Sequence, residues 1–350
     1  MKILIAGGSG LIGREFVRQS LAAGDQPLVL TRQPEGSLAL PAGAQAIQWD
    51  AKSAQGWGEI INTVDAVVNL AGENIAGEKF FPARWSDDRK ARILRSRLDA
   101  GEALVEAIQA AENKPQVFVQ SSAIGYYGTH GDQAITEKSS AGHDFVAEVS
   151  QQWEAVSKPV EALGVRRVIV RTGVVLSTLG GALPRMVLPY RLFAGGPFGH
   201  GRQWYSWIHL EDTAAALRFL IANPQASGPV NLTAPNPLTN ANFGKALGKV
   251  LRRPSLVPLP GFIMRLMFGE VATVVLDGQR VLPEKLQTLG VRLSIPHSGR
   301  RLSKFIGESV GLIFFGAVRT GGSSGWSACS ASHFAMNSKS FYLQERKPHS

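Results

Sequence analysis

Three glycines at fixed spacing, Gly7, Gly10 and Gly13, stand between a short apolar run at residues 2–6 and a stretch that reads as a helix over 14–23. At such a junction each glycine has its own physical task. Gly7 allows the tight turn off a strand, Gly10 leaves no side chain where backbone must approach a pyrophosphate, and Gly13 permits close helix packing. The helix N-terminus adds free N–H groups and the positive end of its dipole, so Ser9, Leu11 and Ile12 join the glycines as phosphate-binding candidates. Gly24 closes the helix, and a second strand follows at residues 27–31. Strand, turn, helix and strand thus fit within about thirty residues, the size of a βαβ unit. A purely structural glycine turn is the alternative reading.

The end of the second strand selects between dinucleotides. An acidic residue there suits the ribose 2′-OH of NAD, whereas a basic one suits the 2′-phosphate of NADP. The sequence reads Leu30-Thr31-Arg32-Gln33, with no acid and an arginine whose planar fork matches a phosphate. NADP(H), held in part by Thr31 and Arg32, is therefore the expected cofactor. A solvent-facing Arg32 is the alternative.

Further apolar runs at residues 46–50, 65–72, 117–120 and 168–176 read as parallel strands, and a long helix reaches to about Ala111. Several blocks sit at their ends: Asn69-Leu70-Ala71-Gly72-Glu73-Asn74-Ile75, Ser122-Ala123-Ile124-Gly125-Tyr126-Tyr127-Gly128, Arg171-Thr172-Gly173-Val174-Val175-Leu176 and Trp207-Ile208-His209-Leu210-Glu211-Asp212. Together with the G-x-x-G-x-x-G turn and residues 276–283, they resemble the extended short-chain dehydrogenase/reductase superfamily. Within it the chain resembles an atypical, epimerase-like (NAD-dependent epimerase/dehydratase-related) subfamily with a small C-terminal domain of unknown function. The resemblance covers residues 1–296 and implies an α/β fold, a Rossmann-type doubly wound parallel sheet with a smaller interleaved C-terminal substrate lobe. It further implies that Asp50 contacts the adenine and that Asn69, Leu70, Ala71, Gly72 and Ser121 border the nicotinamide side. For Asp50 a turn or cap role is equally open.

The same resemblance implies a reaction centre of Tyr-x-x-x-Lys with a nearby Ser or Thr, in which the lysine lowers the tyrosine pKa for proton exchange. Residues 144–154 contain neither tyrosine nor lysine, and the serine position falls on Ala123, with Ser121 and Ser122 out of phase. The catalytic candidates are then Tyr127, Ser122 and His209, and the substrate-binding candidates are Tyr126, Arg202 and Gln203. A tyrosine in the turn after the fifth strand acts as general acid only beside a cation, and otherwise forms an amphipathic pocket wall. His209 has the right intrinsic pKa for acid–base work, or else opens a helix. Arg202 and Gln203 lie in a glycine-rich loop, residues 195–204, that could close over an anionic or hydroxylated group.

The elements that must position these residues divide into a dinucleotide-binding part, residues 1–176 with 207–232 returning to it, and a substrate lobe, 177–206 and 233–296. Residues 297–350 are small, polar and basic without sustained periodicity, a composition that suits a disordered or aberrant tail. The net charge of +10 is concentrated there: Arg300, Arg301, Lys304, Arg319, Lys339, Arg346 and Lys347 against Glu308 and Glu345 supply half of it. A basic tail without interleaved aromatics on a folded scaffold argues against nucleic-acid binding. No apolar run reaches the roughly 20 residues of a membrane span, no secretory leader is visible, and a single cysteine, Cys329, excludes an internal disulfide. A cytoplasmic monomer or homodimer is expected. The seven histidines form no i, i+4 pair, so no metal site is expected. Two functions remain open: an NADP(H)-dependent oxidoreductase or epimerase acting on a small polar substrate, and a non-catalytic NADP(H)-binding regulator or sensor.

Overall fold

Residues 3–6 are fully buried although they are consecutive, so both faces of their strand must be covered. That is the situation of a central strand in a parallel sheet. A computed structural model of the chain describes residues 1–33, 40–77, 81–291 and 293 and shows why. β1 (Lys2–Ala6) leads through the glycine turn into α1 (Leu11–Ala22), followed by β2 (Gln26–Thr31), β3 (Gln45–Gln48) and β4 (Ala66–Asn69). Then come α2 (Asp87–Ala110), β5 (Val117–Ala123), the short β6 (Ala134–Ile135), α3 (Phe145–Val156) and β7 (Arg166–Thr172). Seven strands form the main sheet, in which β11 (Gly228–Leu232) is the last, in the order β11-β7-β5-β4-β1-β2-β3. All its neighbours are parallel.

The strand period of two sends alternate residues to opposite faces. Ile3 and Ile5 join Phe16 and Val17 of α1 and Leu217 and Leu220 of α5 (Leu210–Ala222). Leu4 and Ala6 join Trp57 and, from α2, Ala100 and Leu104 on the other face. Helices therefore cover both sides, which is the doubly wound arrangement expected from the sequence.

The chain order changes direction between β1 and β4, and in open α/β sheets ligands bind at the carboxyl ends of the strands at such a point. The register brings those ends together, with Ala6 opposite both Leu30 and Asn69, and Asn69 opposite Gln120.

The strand read at 168–176 is two strands. β7 ends at Thr172, and β8 (Val174–Leu176) leaves the main sheet to pair in parallel with β10 (Trp207–His209). Gly173 is the step between them. A Cβ there would lie 2.5 Å from the carbonyl oxygen of Ser206, so only glycine lets the chain cross so closely. Beyond it, α4 (Ala182–Arg191), β9 (Trp204–Tyr205), β12 (Leu238–Thr239) and α6 (Asn240–Leu251) surround a second core of Leu176, Leu183, Tyr190, Trp207 and Phe243. α7 (Gly261–Phe268), α8 (Thr273–Leu276), β13 (Arg280–Val281) and α9 (Glu284–Thr288) complete the described chain. The β13 strand pairs with β6, and Leu286 of α9 returns to the core under the main sheet. The basic tail at 297–350 lies outside the described residues.

Candidate functional site

α1 starts at Leu11, three residues earlier than the sequence reading, and this places the glycine turn directly on its N-terminus. Gly10 is the N-cap, no side chain caps the helix, and no acidic residue occupies its first turn. Its leading N–H groups are thus left for a ligand. The glycines pack as a set. Gly7 has φ +79°, and a Cβ on it would lie 2.6 Å from the Leu70 carbonyl carbon. A Cβ on Gly13 would lie 2.3 Å from the Gly7 oxygen, so this glycine locks helix to turn. Gly8, which pattern reading passed over, is as constrained, since its Cβ would meet Val29 Cγ1 at 2.7 Å. Gly10 is different: it is exposed, and its Cβ would meet only the Gly7 oxygen, at 3.3 Å. Among the described residues no other atom lies within 4 Å of that Cβ position. Ser9, Leu11 and Ile12 are half-buried around it, and Leu11 lies against Gly181 of the loop that precedes α4.

Along the same sheet edge, Thr31 is buried and its hydroxyl accepts the Gln33 N–H at 3.2 Å. Arg32 is exposed and makes no hydrogen bond or ion pair among the described residues. Asp50 is spent on a turn: its carboxylate accepts from Lys52 N, Ser53 N and Ser53 Oγ at 2.8, 2.9 and 3.0 Å. The backbone N–H of Lys52, then that of Ser53, holds its pKa below the usual carboxylate value. Asn69 is fully buried, donates to Gln120 Oε1 at 3.3 Å and accepts the Ala71 N–H at 3.1 Å, which shapes the turn through Leu70, Ala71 and Gly72. Ser121 is buried at the end of β5 beside this turn.

Ser122 and Tyr127 belong to a buried network that the sequence reading did not assemble. Ser122 Oγ donates to Glu154 Oε1 at 2.7 Å. Arg171 grips the same carboxylate with both arms, Nε to Oε1 and Nη2 to Oε2, each at 2.8 Å. Its Nη1 donates to the Tyr127 hydroxyl at 3.0 Å, which in turn donates to Asn231 Oδ1 at 2.7 Å. Burial would push the Arg171 pKa down, but the bonds and charge of Glu154 outweigh it and hold it above the ordinary arginine value. Burial likewise pushes the Tyr127 phenol upward, against the lowering influence of Arg171. Tyr127 is 0% exposed, with both its proton and a lone pair engaged. The general-acid reading of Tyr127 is therefore corrected to an interior one, and the Ser122 hydroxyl is committed to Glu154. Tyr126, half-buried, stacks on Arg171 with the guanidinium carbon 3.4 Å from the ring centroid.

Two of the remaining candidates, His209 and Gln203, also make contacts within the fold. His209 caps α5, its Nδ1 accepting the Glu211 N–H at 3.3 Å, and Asp212 stands in the first turn. Burial pushes its pKa below the ordinary value, with Asp212 and Glu15 opposing. Gln203 is buried and ties its loop down, donating through Nε2 to the Phe198 and Val275 carbonyls at 2.9 and 3.1 Å, while its Oε1 has no hydrogen-bond partner among the described residues. Arg202 alone of that pair is exposed, its backbone N–H held by His200 Nδ1 at 3.0 Å. Among the described residues no group of three His, Cys, Asp or Glu side chains is placed to hold a metal, and no helix is long and apolar enough to cross a membrane.

A doubly wound parallel sheet with an uncapped, glycine-lined helix N-terminus at its switch point defines a Rossmann-type dinucleotide-binding protein. Comparison with known proteins makes the assignment specific. Residues 3–232 match the NAD dependent epimerase/dehydratase family, and residues 259–291 match a domain of unknown function, DUF1731. The chain belongs to the NAD dependent epimerase/dehydratase family. It is 36% identical to the epimerase family protein YfhF of Bacillus subtilis over 309 residues, covering 88% of this chain and 99% of that protein. The crystal structure of human epimerase family protein SDR39U1 (isoform 2) with NADPH superposes with TM-score 0.77 at 34% identity, covering 88% of this chain and 99% of that one. UDP-glucose 4-epimerase of Thermotoga maritima shares the fold with TM-score 0.73 at 15% identity, covering 91% of this chain and 100% of that one.

Proposed function

We propose that the protein binds NADP(H) and acts as an epimerase-like or oxidoreductase protein on a small polar substrate, without a Tyr-x-x-x-Lys pair. The observation that carries this reading is the uncapped N-terminus of α1, where a Cβ on exposed Gly10 would meet only the Gly7 oxygen among the described residues. The residues present fit the group. Gly7, Ser9, Gly10, Leu11, Ile12 and Gly13 would hold the pyrophosphate, and Thr31 with the unengaged Arg32 would take the 2′-phosphate. Asn69, Leu70, Ala71, Gly72 and Ser121 would border the nicotinamide side. Asp50 serves the adenine only through the turn that it caps. The NADPH bound by the human relative supports the same choice. When bound, the cofactor supplies reversible hydride exchange. The chain's own residues would orient the substrate, with Tyr126 and Arg202 as the candidates for that task. A single cysteine fits a reducing, cytoplasmic setting, as a monomer or homodimer.

One observation favours a second reading, a non-catalytic NADP(H)-binding sensor. The hydroxyls of Ser122 and Tyr127 are both consumed by the Glu154–Arg171 network, and α3 carries no tyrosine or lysine. Calorimetric titration with NADPH, NADP⁺ and NADH, repeated on Arg32→Ala, tests the cofactor. Tight NADPH binding that weakens in the variant, with NADH weak throughout, is expected. If no nucleotide binds, the glycine turn is scaffold alone. Turnover of any substrate by the NADPH-loaded protein decides between enzyme and sensor.

A further inference from the structure

Arg97 lies in the middle of α2 and is only 8% exposed, yet among the described residues it has no carboxylate partner. The nearby acid, Glu73, is paired instead with Arg89 and Arg92, at 3.4 and 3.7 Å. Of Arg97's five N–H groups, one is accounted for, Nη1 donating to the Ile93 carbonyl one turn back at 2.8 Å. The guanidinium lies over the Trp153 ring, 4.7 Å from its centroid. On another side it abuts Gly72, where a Cβ would come within 3.1 Å of the guanidinium carbon and 3.3 Å of Nε. Trp153 itself has a buried indole N–H with no partner among the described residues. Burial pushes the Arg97 pKa down to about 10, with Glu73 opposing, so the group stays cationic at neutral pH.

A cation taken out of water without a counter-charge is unfavourable unless something supplies the missing acceptor. Among the described residues the Arg97 fork has donors without a protein acceptor where it abuts the turn through Gly72, on the nicotinamide side of the proposed cofactor cradle, with the Trp153 ring against its face. Gly72 has no side chain to intervene. Neither α3 nor β5 carries a lysine or arginine, and Arg171 of the neighbouring β7 is committed through all three of its nitrogens to Glu154 and Tyr127. An arginine fork with free parallel N–H groups matches a carboxylate in two-point contact.

We propose that Arg97 is a substrate-binding residue that receives a carboxylate of the substrate, which makes the substrate class a small organic acid. This rests on the NADP(H) reading only for the identity of the neighbouring site. The arginine takes one or both carboxylate oxygens while the Trp153 face fixes the plane of the fork.

The test uses the full chain, with and without NADPH, and oxalate as probe. Oxalate binding is followed by calorimetry and by quenching of tryptophan fluorescence. The expected result is saturable oxalate binding whose quenching is lost in Trp153→Phe. Oxalate affinity should fall at least about tenfold in Arg97→Met, the consequence expected when a buried charge contact is removed, while NADPH affinity is unchanged. Arg97→Lys keeps the charge but loses the fork, so if the methionine variant does not fold it carries the test, with a fall of several-fold expected for oxalate and none for chloride. Oxalate affinity that is equal in wild type and variants, or absent from a wild type that binds NADPH, overturns the proposal. So does an Arg97 variant that loses NADPH instead, because the acceptor would then belong to the cofactor. Failure of wild type to bind NADPH while oxalate still binds through Arg97 would refute the cofactor reading and leave this one standing.

Discussion

Replacing Arg171 by methionine should destabilise the protein severely, and the reason can be followed atom by atom. The Arg171 and Glu154 side chains are 5% and 10% exposed. Removing the guanidinium leaves the Glu154 carboxylate inside with Ser122 Oγ as its side-chain donor, and strips the Tyr127 hydroxyl of its donor as well. Breaking a buried pair from one side costs about 3–5 kcal/mol, because the surviving charge stays desolvated. For a domain of this size that corresponds to a fall in Tm of roughly 6–15 °C. Glu154→Leu should lose a similar amount for the mirror-image reason. The double variant should recover most of it, because two apolar side chains of similar volume leave no buried charge. Its remaining deficit, from Ser122 and Tyr127 losing partners, should be about 1 kcal/mol for each. The assay is urea denaturation of wild type, both single variants and the double variant, read as a thermodynamic cycle. If each single variant loses less than about 1 kcal/mol and the effects add, the pair behaves as a hydrated surface contact and the argument from burial is wrong.

Gly10→Ala should leave the Tm within about 2 °C while weakening NADPH at least about tenfold, because the added methyl meets one protein atom and the approach of a phosphate. Gly13→Ala, whose methyl would sit 2.3 Å from the Gly7 oxygen, should lower both, as differential scanning fluorimetry and calorimetry would show. Stability should fall on acidification partly through His209, whose folded pKa is depressed by burial. The unfolded chain takes up that proton as the pH drops past about 6.5 while the fold resists it, so this contribution is complete above that pH and declines below it. His209→Asn keeps a capping oxygen and should flatten the decline between about pH 7 and pH 5 in urea midpoints; an unchanged slope would assign the decline to other groups. Asp144 caps the helix that carries Glu154, its side chain accepting the Ala147 N–H at 2.9 Å, and Asp144→Ala should cost about 1 kcal/mol in the same assay.

What the sequence made legible and what it concealed follow one physical division. The cradle could be read because its requirements are local. A tight turn, an uncapped helix start and a strand buried on both faces leave marks within about thirty consecutive residues, and Gly7, Gly13 and the run at residues 2–6 carry those marks. The family blocks at strand ends were legible for the same reason, since a parallel sheet lines up the ends of β1, β4 and β5 at one edge. Side-chain partnerships are not local. Ser122 meets Glu154 across 32 residues, and Tyr127 meets Asn231 across 104. Those distances in sequence close only when β5, β7 and β11 lie side by side, so Tyr127 read as an available acid while the fold had already committed its hydroxyl. His209 shows the converse: the rule that an N-cap accepts a backbone N–H is local, and the His209 imidazole meets it at the start of α5 with Asp212 in the first turn. Arg97 sits between these cases. Its place mid-helix was plain, yet its significance lies in what is missing around it, and an absent counter-charge can be seen only once every neighbour has been placed.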